Sequence, residues 1–334
     1  MSQIAFIMGD QFIYWHALIL VLAALCTALM FWALELRVPE NRKASMIAVP
    51  LAAWLCMMLA RFFHWYCLPQ AYNSMGEAMR NFREGGFALI GVFLGGLLTA
   101  LILRLTRAIG NLPAMLDHLS LAGCLGIAVG RLGDLFTSSD RGMPVPRVLG
   151  LPWGSELYNV VSGETEVRLA VFMLQAMVAA ALFTVLMIFY MRGKGRKNLK
   201  DGETTLLFLL CYCASQAVLD SPRYDSLYFR SNGFVSVVQI ASILTVLGIL
   251  IAYTCRLFRS GQAMKFLVPF MALPLMAIAG YMEYYVQRHG GEAFSAYTVM
   301  SIAMVLVVVL GIVTRHLAMQ PQKQKYVMPG SAAE

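Results

Sequence analysis

Charge is what this sequence has least of. Only 13% of its 334 residues are Asp, Glu, Lys or Arg, while 59% are hydrophobic. A soluble domain carries about 25% charged residues, so the scarcity excludes an ordinary water-soluble chain. Metal-site spacing is also missing. Of Cys26, Cys56, Cys67, Cys124, Cys211, Cys213 and Cys255, most lie in apolar runs. The Cys211-Tyr212-Cys213 pair has neither the spacing nor the setting of a zinc knuckle. The cysteines read as small apolar fillers. The opening MSQIAFIMGDQFIYWHALIL has no basic n-region and no small-residue cleavage site, so the first apolar span is expected to stay as an uncleaved anchor.

What is present is a series of apolar segments of membrane-spanning length. Nine spans are expected, over 13–36, 46–66, 86–106, 114–131, 168–191, 204–221, 234–255, 266–286 and 294–314. The fold class is therefore an all-α polytopic membrane protein. With the N-terminus outside and the C-terminus inside, the inner segments hold 16 Lys and Arg and the outer segments 9, as the positive-inside rule requires. This placement accounts for the net charge of +8: RGKGRKNLK reads as a cytoplasmic anchor, and no nucleic-acid partner is expected. The outer segments contain no lysine; every base there is arginine. Arginine suits bidentate phosphate contacts, which makes a phospholipid head group a natural ligand. The Gly- and Pro-rich stretch 132–167 is expected to form a small extracytoplasmic cap with short strands.

Ionisable groups inside spans mark functional sites by default. Glu35 and Arg37 end the first span and read as snorkelling at the interface. His16 begins it, either in the aromatic belt with Tyr14 and Trp15 or lining a cavity. Arg61, in LARFFHWYC, either reaches up to bulk lipid phosphates or faces the bundle interior. His64 reads as a belt residue. Gly91 and Gly95 form a G-x-x-x-G suited to close helix packing. Gly123, Gly126, Gly130 and Gly133 line one helix side and end at Arg131 and Asp134, which are i, i+3 neighbours. That pair is either a structural salt bridge or part of an anion site. In the sixth span Tyr212, Gln216, Asp220 and Arg223 fall on one stripe, which must face a bundle interior or wet cavity. Gln239 is placed to join the Asp220–Arg223 pair.

These stretches, in this order, resemble the bacterial prolipoprotein diacylglyceryl transferases. GRLGDLFTSSDRG is similar to that family's G-R-x-G-N-F-x-N-x-E signature, GGFALIGVFLGG to its glycine-rich helix, and YCASQAVLDSPR to its Y-x-x-x-R-x-x-x-E-x-x-R stripe. The aromatic start IYWHAL, the arginine of LARFFHWYC and VQIAS extend the resemblance over about residues 10–256. It implies a seven-helix membrane core (1–256), to which a further transmembrane hairpin (257–316) and a disordered cytoplasmic tail (317–334) are added. It implies transfer of diacylglycerol from phosphatidylglycerol, or another anionic phospholipid, to the cysteine thiol of a lipobox-bearing preprotein at the bacterial inner membrane. No metal or soluble cofactor is implied.

Carried over by position, Arg61, Arg131, Arg223 and Tyr212 match family residues and are assigned to substrate binding, with Gln216 and Gln239 beside them. Other positions differ. The family histidine falls on Ile90, an arginine becomes Gln216, the signature asparagine becomes Asp134 and its glutamate falls on Ser139, with Asp140 next to it. The stripe glutamate becomes Asp220 and a tyrosine becomes His16. His16, Asp134 and Asp220 are accordingly the candidate catalytic groups. The alternative is a non-catalytic lipid- or lipoprotein-binding protein on the same scaffold. A transporter would show paired inverted repeats with broken helices, and none is visible.

Overall fold

The computed structural model describes residues 4–8, 11–80, 86–146, 150–158, 163–195, 199–230, 233, 235–261, 263–289 and 293–320. The expected tail beyond residue 320, together with Arg196 and Lys197 of the RGKGRKNLK anchor, lies outside them. About 73% of the described residues are helical, and the protein is an all-α polytopic membrane protein. Its principal helices are α1 (Trp15–Glu35), α2 (Arg42–Cys67), α3 (Leu89–Leu105), α4 (Leu112–Arg131), α5 (Val171–Gly195), α6 (Glu203–Leu219), α7 (Val237–Arg259), α8 (Ala272–His289) and α9 (Ala293–Met319). Seven helical segments among the described residues are long and apolar enough to cross a membrane. The other two, α3 and α6, have 17 residues each and coincide with the third and sixth expected spans.

Two antiparallel hairpins interrupt the helical pattern. Strands β1 (Ile4–Met8) and β2 (Gln11–Tyr14) precede α1, so the first helix begins at Trp15 and not at residue 13. Strands β3 (Gly154–Tyr158) and β4 (Thr165–Leu169) pair in the cap. The second pair runs two residues past 167, and α5 accordingly starts at Val171 instead of 168.

The chain divides into two compact units, Met1–Thr245 and Val246–Glu334. In the first, α4 is the central helix. Ten of its residues are buried, against four of α1. One apolar cluster joins Leu34, Leu121, Cys124, Leu186, Tyr190 and Phe208; a second joins Phe31, Ala48, Ala100, Leu103, Met115 and Ala122. Asn111 caps α4 by accepting from the Ala114 amide at 3.0 Å, one of the orphan donors that a helix start leaves. Asp117, fully buried, accepts from the amides of Gly202 and Thr205, each at 2.8 Å, and from the Thr205 hydroxyl at 2.9 Å. It thereby caps the start of α6 from within α4. In the second unit α8 and α9 present apolar side chains outward, among them Leu273, Ile278, Ile302 and Val305, as lipid-facing helices do.

The glycines act as the packing reading requires. A Cβ on Gly91 would lie 2.4 Å from the Ala60 backbone, and one on Gly95 would lie 2.5 Å from that of Cys56. The α2–α3 contact therefore exists only because those side chains are absent. Gly91→Ala should lower stability by about 1–3 kcal/mol, the usual cost of overpacking. Gly123→Ala is the control, because a Cβ there meets nothing within 4 Å. Thermal unfolding of the two purified variants should separate them clearly; equal melting temperatures would refute the close packing of α2 on α3.

Candidate functional site

Alternating helix direction brings the starts of α1, α5 and α7 and the ends of α4 and α6 to one end of the first unit, the end that carries the cap. The polar stripe of the sequence converges there. Arg131 at the end of α4 approaches Asp134, one turn later, at 3.6 Å. It also contacts Asp140 directly. Arg223, just past α6, contacts Asp140 with its other flank, and holds Asp220 at 2.9 Å and Asp225 at 3.2 Å. Burial depresses the Arg223 pKa, but the Asp220 and Asp225 carboxylates more than offset this and hold it above the ordinary guanidinium value. Arg223 stays charged at any working pH.

His16, at the start of α1, lies 3.5 Å from Asp134 through Nδ1, with its side chain one-third exposed. Gly133 packs against the same ring. Asp220 is nearly fully buried and accepts from the Ser236 hydroxyl and from Arg223. Gln239 does not join the Asp220–Arg223 pair directly in the described hydrogen bonds: its Oε1 accepts from the Ser236 amide at 3.0 Å, and its Nε2 donates to the Ala217 carbonyl at 3.2 Å. These bonds tie the end of α6 to the start of α7.

Tyr212 and Gln216 lie deeper on the stripe. The Tyr212 ring stacks on Phe208 and tilts against Phe93, and its buried hydroxyl has no hydrogen-bond partner among the described residues. Gln216 accepts from Gln175 of α5 at 3.0 Å. Ile90 lines an apolar cavity of about 200 Å³ with Phe63, Tyr66, Phe229, Val237 and Leu244. No His, Asp or Glu is among the described residues that line it.

Of its two expected places, Arg61 takes the interior one, and its described contacts are separate from those of Arg131 and Arg223. It is fully buried. Its Nε donates to the Ala78 carbonyl at 2.6 Å and Nη1 to that of Gly86 at 3.0 Å, and the guanidinium lies 4.8 Å from the Tyr72 ring centre. Gly86 has φ +78 and leaves room for it. The described contacts of Arg61 thus secure the connection between α2 and α3, whereas those of Arg131 and Arg223 meet at Asp140. His64 bonds the Tyr72 hydroxyl at 2.8 Å, so it belongs to this connection and is not a simple belt residue.

Three features were missed from the sequence. Asp140 is the hub of the arginine pair, yet it stands in a loop with φ 55, beyond the reach of any helical periodicity. Arg141 pins the cap to that loop. It donates to Ser155 Oγ at 2.6 Å, to the Glu156 carbonyl and to the Thr137 carbonyl at 2.7 Å. At the opposite end of the unit Glu35 does not snorkel. It is 1% exposed and meets buried His118 at 3.1 Å, whose Nε2 bonds the Tyr190 hydroxyl at 2.7 Å. A carboxylate at a span end with a histidine at the start of another span was the available signal, but only packing puts them together.

Comparison with known proteins bears on this arrangement. The family model described as "Prolipoprotein diacylglyceryl transferase" matches residues 3–255, which end within α7 and exclude α8 and α9. A phosphatidylglycerol-prolipoprotein diacylglyceryl transferase of Clostridioides difficile (strain 630) is 25% identical over 258 residues, 76% of this chain and 94% of that protein. One from Bacillus licheniformis is 25% identical over 280 residues, 80% of this chain and 96% of the relative. One from Thermotoga maritima is 28% identical over 200 residues, covering 58% and 63%.

Proposed function

We propose, since this chain belongs to the prolipoprotein diacylglyceryl transferase family, that it moves a diacylglyceryl group from phosphatidylglycerol to the cysteine thiol of a lipobox-bearing preprotein. The observation that carries the reading is the convergence of two partly exposed guanidiniums, Arg131 and Arg223, at one end of the helix bundle. The names of the relatives supply the donor and the acceptor class. The positive-inside distribution supports an N-out, C-in orientation, with the site at the outer leaflet of the bacterial inner membrane.

In this reading Arg131 and Arg223 hold the donor phosphate by charge-assisted hydrogen bonds, and Asp220 fixes Arg223. The nucleophile is the acceptor thiolate, which needs a base or a positive field because a free thiol ionises near pH 8.5. His16 is the base. Asp134 orients it through Nδ1, leaving Nε2 to take the thiol proton. Sulfur then attacks the carbon of the diacylglyceryl moiety that carries the phosphate. The carbon–oxygen bond breaks, its electron pair stays on the phosphate oxygen, and glycerol phosphate leaves as the thioether forms. The arginines stabilise the charge that develops on that oxygen. Tyr212 and Gln216 line the inner side of the phosphate site, and Arg61 holds the α2–α3 connection.

The test is transfer itself. Purified protein, isotopically labelled phosphatidylglycerol and a lipobox peptide should give a peptide heavier by one diacylglyceryl group, with an equal amount of glycerol phosphate. A cysteine-to-serine peptide should gain nothing. Lipid binding without any peptide modification would leave the non-catalytic alternative in its place.

A further inference from the structure

Asp140 has an unusual position in the arginine pair. Each arginine already has carboxylates nearby on its own segment: Asp134 for Arg131, and Asp220 and Asp225 for Arg223. Among the described ion pairs, Asp140 alone touches both arginines. One carboxylate oxygen rests on Arg131 Nη1 and the other on Arg223 Nη2. Two oxygens of one anion spread over two guanidiniums is also the arrangement in which a phosphodiester's two non-bridging oxygens would be held.

The local charge makes the comparison sharper. Two arginines face four carboxylates, Asp134, Asp140, Asp220 and Asp225. A phosphate added to that set would meet a net negative cluster of low exposure, where like charges repel strongly. An anionic head group therefore binds well only if one carboxylate gives way. Asp134 and Asp220 stand at helix ends beside their arginines, and Asp220 is further held by Ser236. Asp140 stands in a loop. Its own carboxylate contacts only the two arginines in the described hydrogen bonds and ion pairs, while its backbone is held separately. Its amide donates to Asp225 Oδ2 at 2.9 Å, and its carbonyl accepts from the Phe172 amide at 3.0 Å. The side chain can rotate away while the loop stays in place.

We propose that Asp140 is an exchangeable internal anion. It occupies the phosphate position when no lipid is bound, is displaced from the arginines by the donor phosphate, and returns to expel glycerol phosphate after transfer. This rests on the arginine pair being the lipid site. Asp140 then sets a ceiling on donor affinity and supplies the force for product release. It is a positioning residue: it touches the arginines and not the reacting atoms.

The variant to make is Asp140→Asn. Asparagine tolerates the left-handed backbone at this position, and the amide and carbonyl bonds of the loop are unaffected. Binding of a fluorescent short-chain phosphatidylglycerol, with phosphatidylcholine as reference, should tighten about tenfold, the effect of one competing charge-assisted pair. KM for the lipid should fall, and kcat should fall with it as product leaves more slowly. Asp225→Asn removes the same charge without removing a shared contact, and should tighten binding less. In the unaltered protein, infrared difference spectra on adding phosphatidylglycerol should show a carboxylate band leaving its arginine-paired frequency. Unchanged or weaker binding in a folded Asp140→Asn, an equal gain in Asp225→Asn, or no carboxylate band shift would each overturn the role of Asp140. Failure of the unaltered protein to prefer phosphatidylglycerol over phosphatidylcholine would instead overturn the lipid site on which the inference rests.

Discussion

Arg131→Ala is expected to weaken binding of phosphatidylglycerol by roughly ten- to a hundredfold and to bring transfer below detection. The binding figure follows from one lost charge-assisted contact, about 1.5–3 kcal/mol. The loss of transfer has two further causes. Asp134 and Asp140 lose a positive partner, so the site becomes still more acidic. The phosphate oxygen that gains charge as the ester breaks loses a donor, and removing one such donor typically costs 10²–10³ in rate. Arg131→Lys should recover only part of both, because an ammonium cannot span two acceptors as the planar fork does. Titration with short-chain lipid gives the first quantity and the peptide mass assay the second. Asp134→Asn separates binding from chemistry. It should keep the fold and bind lipid as well or better, since one negative charge is gone. Transfer should nevertheless drop, because His16 loses the carboxylate that orients it.

The second large effect is structural. Asp220→Ala should destabilise the protein by about 3–5 kcal/mol, the range for breaking one side of a buried ion pair. Asp220 is 1% exposed and bonds Arg223 Nη1, while Ser236 donates its hydroxyl to the same carboxylate. Its backbone carbonyl accepts from Ser226 at 2.8 Å, which the substitution leaves. The Ser236 hydroxyl is left buried with its acceptor gone, and the link between the end of α6 and the start of α7 weakens. Asp220→Asn keeps an acceptor for Ser236 and should lose less. A drop in melting temperature of the purified protein, larger for Ala than for Asn, is the expected measurement. A melting temperature unchanged in Asp220→Ala would show that the network does not hold these two helices together.

The parts of this protein that the sequence made legible are those governed by short-range periodicity. Apolar runs marked the membrane helices, and i, i+3 spacing marked the Arg131–Asp134 and Asp220–Arg223 pairs, because such neighbours meet on any helix or helix end. The G-x-x-x-G at Gly91 and Gly95 announced a close helix contact for the same reason. What escaped depends on chain segments returning from a distance. Asp140 reaches Arg223 from 83 positions away through a left-handed loop residue. Arg61 was read by its depth in a span, and depth does not reveal that the connection after α2 folds back to place the Ala78 and Gly86 carbonyls over it. Glu35 looked like an interface residue for the same reason, until α4 placed His118 against it. The hairpin of β1 and β2 was hidden by the apolar run that continues into α1.

The most direct measurement of the central claim is the position of the donor phosphate itself. A structure of the protein in nanodiscs containing phosphatidylglycerol should show the lipid phosphate within hydrogen-bonding distance of both Arg131 and Arg223, with the carbon of the diacylglyceryl moiety that bears it facing His16. A head group held elsewhere, with the two arginines still engaged only by Asp134, Asp140, Asp220 and Asp225, would contradict the account.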